Sequence, residues 1–157
     1  MRVMTVCLCL AAAAALASPA GAITQYSTDH QIEVEQAWAR LAPKEPDTAS
    51  VFFEVYNQSE KSDVLLSASS PAAENITIRR GTWQGFNFLN RESDGIKIKA
   101  RKTTSFHPGQ YEITLSDLRG HVNVGTVLPV TLYFKEAGAV TIEAQVANQL
   151  LGNRINK

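Results

Sequence analysis

Sulfur is scarce in this sequence, and it is confined to the start of a chain of 157 residues. Met1, Met4, Cys7 and Cys9 are its only methionines and cysteines. Without that segment the chain cannot form a disulfide, so an apolar core must hold its fold together. It also lacks the thiolate and thioether ligands that soft metal ions such as Cu(I) prefer.

The segment that contains the sulfur has the pattern of a secretory signal peptide. Arg2 precedes a largely apolar, alanine-rich run over residues 3–17, and the small residues at 20–22 form a cleavage site. We therefore predict that residues 1–22 are removed. Residues 23–157 are then expected to form a single periplasmic domain with a short C-terminal tail.

Two kinds of membrane attachment are not expected. The apolar run is shorter than the ~20 residues that span a bilayer, so no membrane span should remain after cleavage. A lipid-anchored lipoprotein needs a cysteine directly after the apolar run, whereas Cys7 and Cys9 lie inside it.

Neither sign of charge is in excess. The chain has 15 Lys and Arg residues and 15 Asp and Glu residues, so loss of Arg2 leaves a net charge of −1. This balance argues against binding to nucleic acid or to an anionic membrane through bulk charge. The 135 residues that remain after cleavage are enough for one domain with its own core.

Short runs with the pattern of β-strands recur along the rest of the chain. In them apolar and polar residues alternate between turn residues, which is typical of half-buried strands. The runs cover residues 31–38, 49–57, 64–68, 75–79, 95–101, 111–115, 127–134 and 139–146. We expect Ile32, Val34 and Trp38 to lie on or near one face of the first run. The series predicts an all-β fold, an antiparallel β-sandwich of seven to nine strands.

No strong catalytic motif is present, such as a glycine-rich phosphate loop, a GxSxG nucleophile or an HExxH metal site. The three histidines, His30, His107 and His121, are far apart and lie beside turn residues. We interpret them as exposed loop residues, and the alternative is a two-histidine Cu(II) or zinc site formed in space. No enzymatic activity is expected.

One concentration of charge is basic. Lys97, Lys99 and Arg101 alternate with apolar residues and are expected to share the outer face of a strand, with Arg79 nearby. Such a face more often is solvated and discourages pairing between sheet edges. The alternative is a surface for an anion or a partner.

Several of these strands resemble those of the PCu(A)C family of periplasmic copper chaperones. The resemblance covers about residues 32–146, and its most specific features are ASSPAA and the order of PGxY and LPVTLYF. The matching stretches are AWAR (37–40), TASVFFEVYN (48–57), DVLLSASSPAA (63–73), GIKI (95–98), PGQYEITL (108–115), LPVTLYF (128–134) and AGAV (137–140). The resemblance implies a cupredoxin-like β-sandwich that carries Cu(I), and sometimes Cu(II), toward cytochrome oxidase assembly.

The same resemblance implies four copper-ligand positions, and none holds a residue suited to Cu(I). Family members have a His ending the strand after the SSPAA segment, then a Met, then a His-x-Met pair at or after the PGxY tyrosine. The first position falls at Arg79 or an adjacent residue, the second near residues 88–90, with Asn90 the assigned residue, and the pair at Glu112 and Thr114. No alignment error can restore the methionines, because residues 23–157 contain none.

Arg79 and Glu112 would replace two groups that share a metal in the family. Arg79 is a permanent cation and would repel a metal ion. We expect the two side chains to form a salt bridge, which would contribute only about 0–1 kcal/mol if it is exposed.

These observations predict a periplasmic, copper chaperone-like accessory or binding module that has lost the Cu(I) site. No cofactor is assigned with confidence, and copper is implied by the resemblance alone. The expected partner is a periplasmic or membrane-bound oxidase-assembly protein. The alternative is a chaperone that binds Cu(II) through His107, His121 or His30 with Glu112, because imidazole and carboxylate ligands suit that ion.

Overall fold

Eleven β-strands make up the computed structural model, which describes residues 24–27, 31–84 and 87–147. The predicted signal peptide, His30 and residues 148–157 lie outside these ranges. The strands are β1 (Gln25–Tyr26), β2 (Ile32–Ala42), β3 (Glu45–Asn57), β4 (Asp63–Ser69), β5 (Ala73–Gln84), β6 (Asn87–Glu92), β7 (Ile96–Ile98), β8 (Thr103–Phe106), β9 (Tyr111–Leu118), β10 (Val127–Phe134) and β11 (Gly138–Val146). The prediction of an all-β fold is confirmed. No described segment is a helix with the length and apolar character needed to cross a membrane.

The strands form one hydrogen-bonded sheet that curls around its core. Its order is β6-β5-β9-β3-β2-β11-β10-β4-β7, with β1 paired to β2 and β8 paired to β3. The described pairs are antiparallel except β11 with β2, where Gln145 lies opposite Trp38 in parallel register. There are more strands than the seven to nine predicted, because β1, β6 and β8 are short and lack clear alternation.

The core lies inside the curl and draws on strands along most of the sheet order, from β5 to β7. Along β3, the side chains of Ala49, Val51, Phe53 and Val55 are all at most 2% exposed. They belong to one cluster with residues of β2, β4, β5 and β7 to β11. The intervening side chains of each strand face outward, as the two-residue period of a strand requires.

A β-bulge in β2 changes which side chains face this core. Gln36 has a φ of 54°, and the register with β3 shifts between Glu35 and Trp38. The extra residue inverts the alternation. Val34 faces the core before the bulge and Ala39 faces it afterwards.

The prediction that Trp38 shares a face with Ile32 and Val34 is wrong because of this bulge. Trp38 lies on the outer face of the sheet, where its ring centroid is 4.7 Å from that of Phe52. The Arg40 guanidinium lies 5.5 Å from the same Phe52 ring. Phe52 is therefore fully buried although it lies outside the core cluster.

Asp63 ties the turn between β10 and β11 to the start of β4. Its Oδ1 accepts hydrogen bonds from the backbone N–H groups of Val64 at 2.6 Å and Glu136 at 3.0 Å, and its Oδ2 accepts one from Ala137 at 3.0 Å. The residue is 5% exposed. A buried carboxylate that accepts three N–H groups is a strong local anchor, since hydrogen bonds to charged groups exceed neutral ones in strength.

We predict that Asp63→Ala lowers the free energy of unfolding by about 3 kcal/mol, because three backbone N–H groups lose a charged acceptor. Urea unfolding should show a lower midpoint with an unchanged slope. Asp94→Ala removes an exposed carboxylate just before β7 and is the matched control, with an expected change within about 0.5 kcal/mol. Equal losses in the two variants would contradict the anchoring role of Asp63.

Candidate functional site

The antiparallel pairing of β5 with β9 sets the geometry of the candidate site. Ile78 pairs with Ile113, and both side chains face the core, 5% and 0% exposed. The next position along pairs Arg79 with Glu112. Because neighbouring residues of a strand point to opposite faces, the charged pair lies on the outer face. Thr114, two residues beyond Glu112, shares that face.

Neighbouring strands and one turn make this face into a cleft of about 390 Å³. All four residues at the implied copper-ligand positions line it, namely Arg79, Asn90, Glu112 and Thr114. β6 brings Asn90 opposite Gly81 of β5, and β3 brings Ser50 opposite Thr114. The turn between β2 and β3 forms the remaining wall.

Arg79 and Glu112 do not form the expected salt bridge. The ion pairs of the described residues are Arg101 with Glu60 and Lys135 with Glu136. Asn90 lies between the two charged groups instead. Arg79 Nη2 donates to the Asn90 backbone oxygen at 3.2 Å, and Asn90 Nδ2 donates to Glu112 Oε1 at 2.6 Å. The salt-bridge prediction is wrong, because Asn90 lies between the two charged side chains and forms a hydrogen bond with each of them.

Two atoms in the cleft wall are buried without a hydrogen-bond partner. They are Arg79 Nε and Thr114 Oγ1, and no other described side chain that is not itself exposed has such an atom. Thr114 is 8% exposed, although the alternation of β9 gives it an outward position. Each buried polar group without a partner costs about 1–3 kcal/mol. Both atoms belong to the wall of one cleft, so this wall is a locally destabilised part of the described fold.

The histidines do not converge on this cleft. His107 is half-buried in the turn between β8 and β9, where its backbone oxygen accepts from Gln110 N at 3.0 Å. His121 is exposed in the loop between β9 and β10. The described ranges contain no group of three His, Cys, Asp or Glu side chains that could hold a metal ion. The alternative Cu(II) site of His107, His121 or His30 with Glu112 therefore stays a prediction.

The predicted basic face is also divided. β7 ends before Lys99, and Arg101 follows in a turn with a φ of 54°. There Arg101 Nε donates to Glu60 Oε1 at 3.0 Å, and this hydrogen bond, with the charge of Glu60, raises the pKa of Arg101. Arg79 faces the cleft rather than this surface. Lys97 and Lys99 are exposed, and their role toward an anion or partner stays a prediction.

Sequence reasoning missed the other half of the cleft wall. Thr48 and Ser50 of β3 and the turn residues Lys44 and Glu45 also line it. One signal was present, since small hydroxyl residues alternate with buried Ala49 in this strand. The sequence did not indicate that the turn between β2 and β3 lines the cleft, because this depends on where the turn lies relative to β9.

Comparisons with solved structures agree with the all-β fold described above. The chain is similar to the copper-bound PCuAC domain of PmoF2, with 23% identity and a TM-score of 0.66 over 80% of this chain and 98% of that domain. For the apo PCuAC domain of PmoF1 the values are 23% and 0.67 over 79% and 99%. Cu(I)-bound DR1885 of Deinococcus radiodurans is 19% identical, with a TM-score of 0.59 over 73% and 76%. The resemblance to PCu(A)C proteins is confirmed, with a cupredoxin-like fold.

The family follows from the sequence match. Residues 32–146 match the model of the LpqE-like family, described as putative lipoprotein LpqE-like, and the chain belongs to this family. One relative is the putative lipoprotein Lxx21020 of Leifsonia xyli subsp. xyli. It is 26% identical over 129 residues, which are 82% of this chain and 76% of the relative.

We predict that Thr114→Val raises the free energy of unfolding by about 1 kcal/mol, because it removes a buried hydroxyl without a partner at nearly constant shape. Thr131→Val is the matched control, since the Thr131 hydroxyl shares a hydrogen bond of 2.9 Å with that of Thr141. The control should lose stability by about 0.5–1 kcal/mol. Denaturant unfolding of both variants measures the difference, and a loss at Thr114 as large as the control's would show that its hydroxyl is bonded in solution.

Proposed function

We propose that this chain is an exported, non-enzymatic accessory module of copper handling or oxidase assembly that does not itself carry Cu(I). The observation that supports the proposal is the position of Arg79, whose side chain lines the cleft that contains the four implied ligand positions. A permanent cation in that place opposes a second cation.

The donor set of the cleft also opposes Cu(I). The four positions present a guanidinium, an amide, a carboxylate and a hydroxyl, whereas Cu(I) prefers soft sulfur and imidazole ligands. Glu112, the one anionic group among them, already accepts a hydrogen bond from Asn90 at 2.6 Å. A carboxylate is a hard ligand, and beside an arginine it would bind a soft ion such as Cu(I) only weakly.

Export and docking complete the proposal. The apolar leader over residues 3–17 supports export, and similarity to PCuAC domains supports a setting in copper handling. The family and one relative are described as putative lipoproteins, whereas Cys7 and Cys9 of this chain lie inside the apolar run. A periplasmic or membrane-bound oxidase-assembly protein is the proposed partner.

Titration with Cu(I) against a competing chelator tests the proposal directly. We expect no binding at sub-micromolar concentration, because no soft ligand lines the cleft. Sub-micromolar affinity in the unaltered protein would overturn the proposal. A parallel titration with Cu(II) should be unaffected by His107→Ala, and loss of tight Cu(II) binding in that variant would instead support a histidine-based carrier.

A redesigned cleft offers a sharper test. We predict that Arg79→His, Asn90→Met, Glu112→His and Thr114→Met together create sub-micromolar Cu(I) binding, because imidazole and thioether ligands would then face one cleft. X-ray absorption should show sulfur and nitrogen ligands. The triple variant that retains Arg79 is the matched control and should bind at least tenfold more weakly. A folded quadruple variant without Cu(I) binding would contradict the assignment of these four positions.

A further inference from the structure

We propose that the cleft beside Arg79 binds a small zwitterion of the free amino acid class, with its carboxylate held by Arg79 and its ammonium group held by Glu112. This site would give the chain a ligand of its own, whether or not the proposed role in copper handling holds. Three features of the cleft support such a site: its mixed charges, its two unpartnered atoms and its size.

The charges of the cleft wall are mixed. Arg79 and Lys44 are cationic, and Glu45 and Glu112 are anionic. A simple anion at Arg79 would meet Glu112, which is directly opposite it on β9, and Glu92, which is directly opposite it on β6. A simple cation at Glu112 would meet Arg79. A ligand that carries both charges avoids both repulsions. Its negative group would lie beside Arg79 and its positive group beside Glu112, and opposite charges attract whereas like charges repel.

The unpartnered atoms indicate which end of the ligand goes where. Arg79 has five N–H donors, and within the described part of the chain it gives one side-chain hydrogen bond, from Nη2 to the Asn90 backbone oxygen. Its buried Nε has none. A carboxylate that accepts from Nε and a terminal nitrogen together forms the bidentate pair that arginine favours.

Thr114 supplies the second independent indication. Its side chain is more than nine-tenths buried, lines the cleft and has an unpartnered hydroxyl. That hydroxyl can donate to a carboxylate or accept from an ammonium group. Within the described residues, Glu112 uses only Oε1, toward Asn90, so Oε2 is available to an ammonium group.

The cleft has a suitable volume, and one side chain has to move. A volume of about 390 Å³ lies near the lower end of the ~300–1,000 Å³ usual for small-molecule sites. Arg79 Nε and Thr114 Oγ1 are both covered by neighbouring atoms. Binding therefore requires a movement of cleft side chains, the half-buried Arg79 among them, that uncovers these atoms.

Nuclear magnetic resonance titration of the nitrogen-15-labelled protein tests the site. The probes are glycine and a panel of L-amino acids, with acetate and methylammonium as the two separate halves. We expect saturable shifts of the Arg79 Nε–H and Thr114 amide signals, with a dissociation constant of about 1 mM or below for at least one amino acid. Each half should bind at least tenfold more weakly.

Three variants separate specific binding from general charge. Arg79→Gln should weaken binding at least tenfold, and Thr114→Val severalfold. Arg80→Gln is the matched control, since the Arg80 guanidinium lies 5.5 Å from the Tyr111 ring and does not line this cleft, and it should leave affinity unchanged. If Arg79→Gln fails to fold, Thr114→Val and Glu112→Gln carry the test.

Three outcomes would overturn the proposal. Absence of saturable shifts with every amino acid would show that the cleft binds none of them. Acetate binding as tight as that of the amino acids would show a plain anion site. An equal loss in Arg80→Gln would show that binding follows total charge and not this cleft. Failure here leaves the Cu(I) titration unaffected, so the two proposals are tested separately.

Discussion

The pairing of Ile78 with Ile113 in the core is the constraint on which the candidate site depends. Both side chains are buried, so the register of β5 against β9 is fixed by the apolar core. A shift of β5 by one residue would turn Ile78 to solvent and bring Arg79 inside, and burial of an uncompensated charge is strongly unfavourable. The outer face therefore receives Arg79 opposite Glu112 as a consequence of core packing, whatever those two residues do.

The strand register therefore fixes Arg79 at a position where its guanidinium group has few hydrogen-bond partners among the described residues. Its carboxylate neighbours lie opposite it on both adjacent strands, yet its one side-chain hydrogen bond to a described residue goes to a backbone oxygen. Thr114 adds a second unsatisfied group. A fold optimised for stability alone would replace both with apolar side chains of similar size. The proposed ligand would give both groups a partner.

Much of the fold could be predicted from the sequence, because alternation of apolar and polar residues records the core directly. β9, β10 and β11 follow the predicted runs closely. The bulge could not be predicted, since Gln36 adopts a positive φ without the glycine or asparagine that usually signals one. For the site, the family resemblance implied that Arg79 and Glu112 converge, but the intervening Asn90 lies on β6, which has no alternating pattern.

The segments that carry the family resemblance are held together away from the cleft. Ser70 Oγ donates to the Pro129 backbone oxygen at 2.6 Å, and the Ser69 and Tyr133 hydroxyls share a hydrogen bond of 3.0 Å. These contacts join the ASSPAA and LPVTLYF segments across the pairing of β4 with β10, and none of these residues lines the cleft. Substitutions at Arg79 or Thr114 therefore leave them intact. The side-chain contacts that join these two segments are therefore physically separate from the side chains that line the cleft.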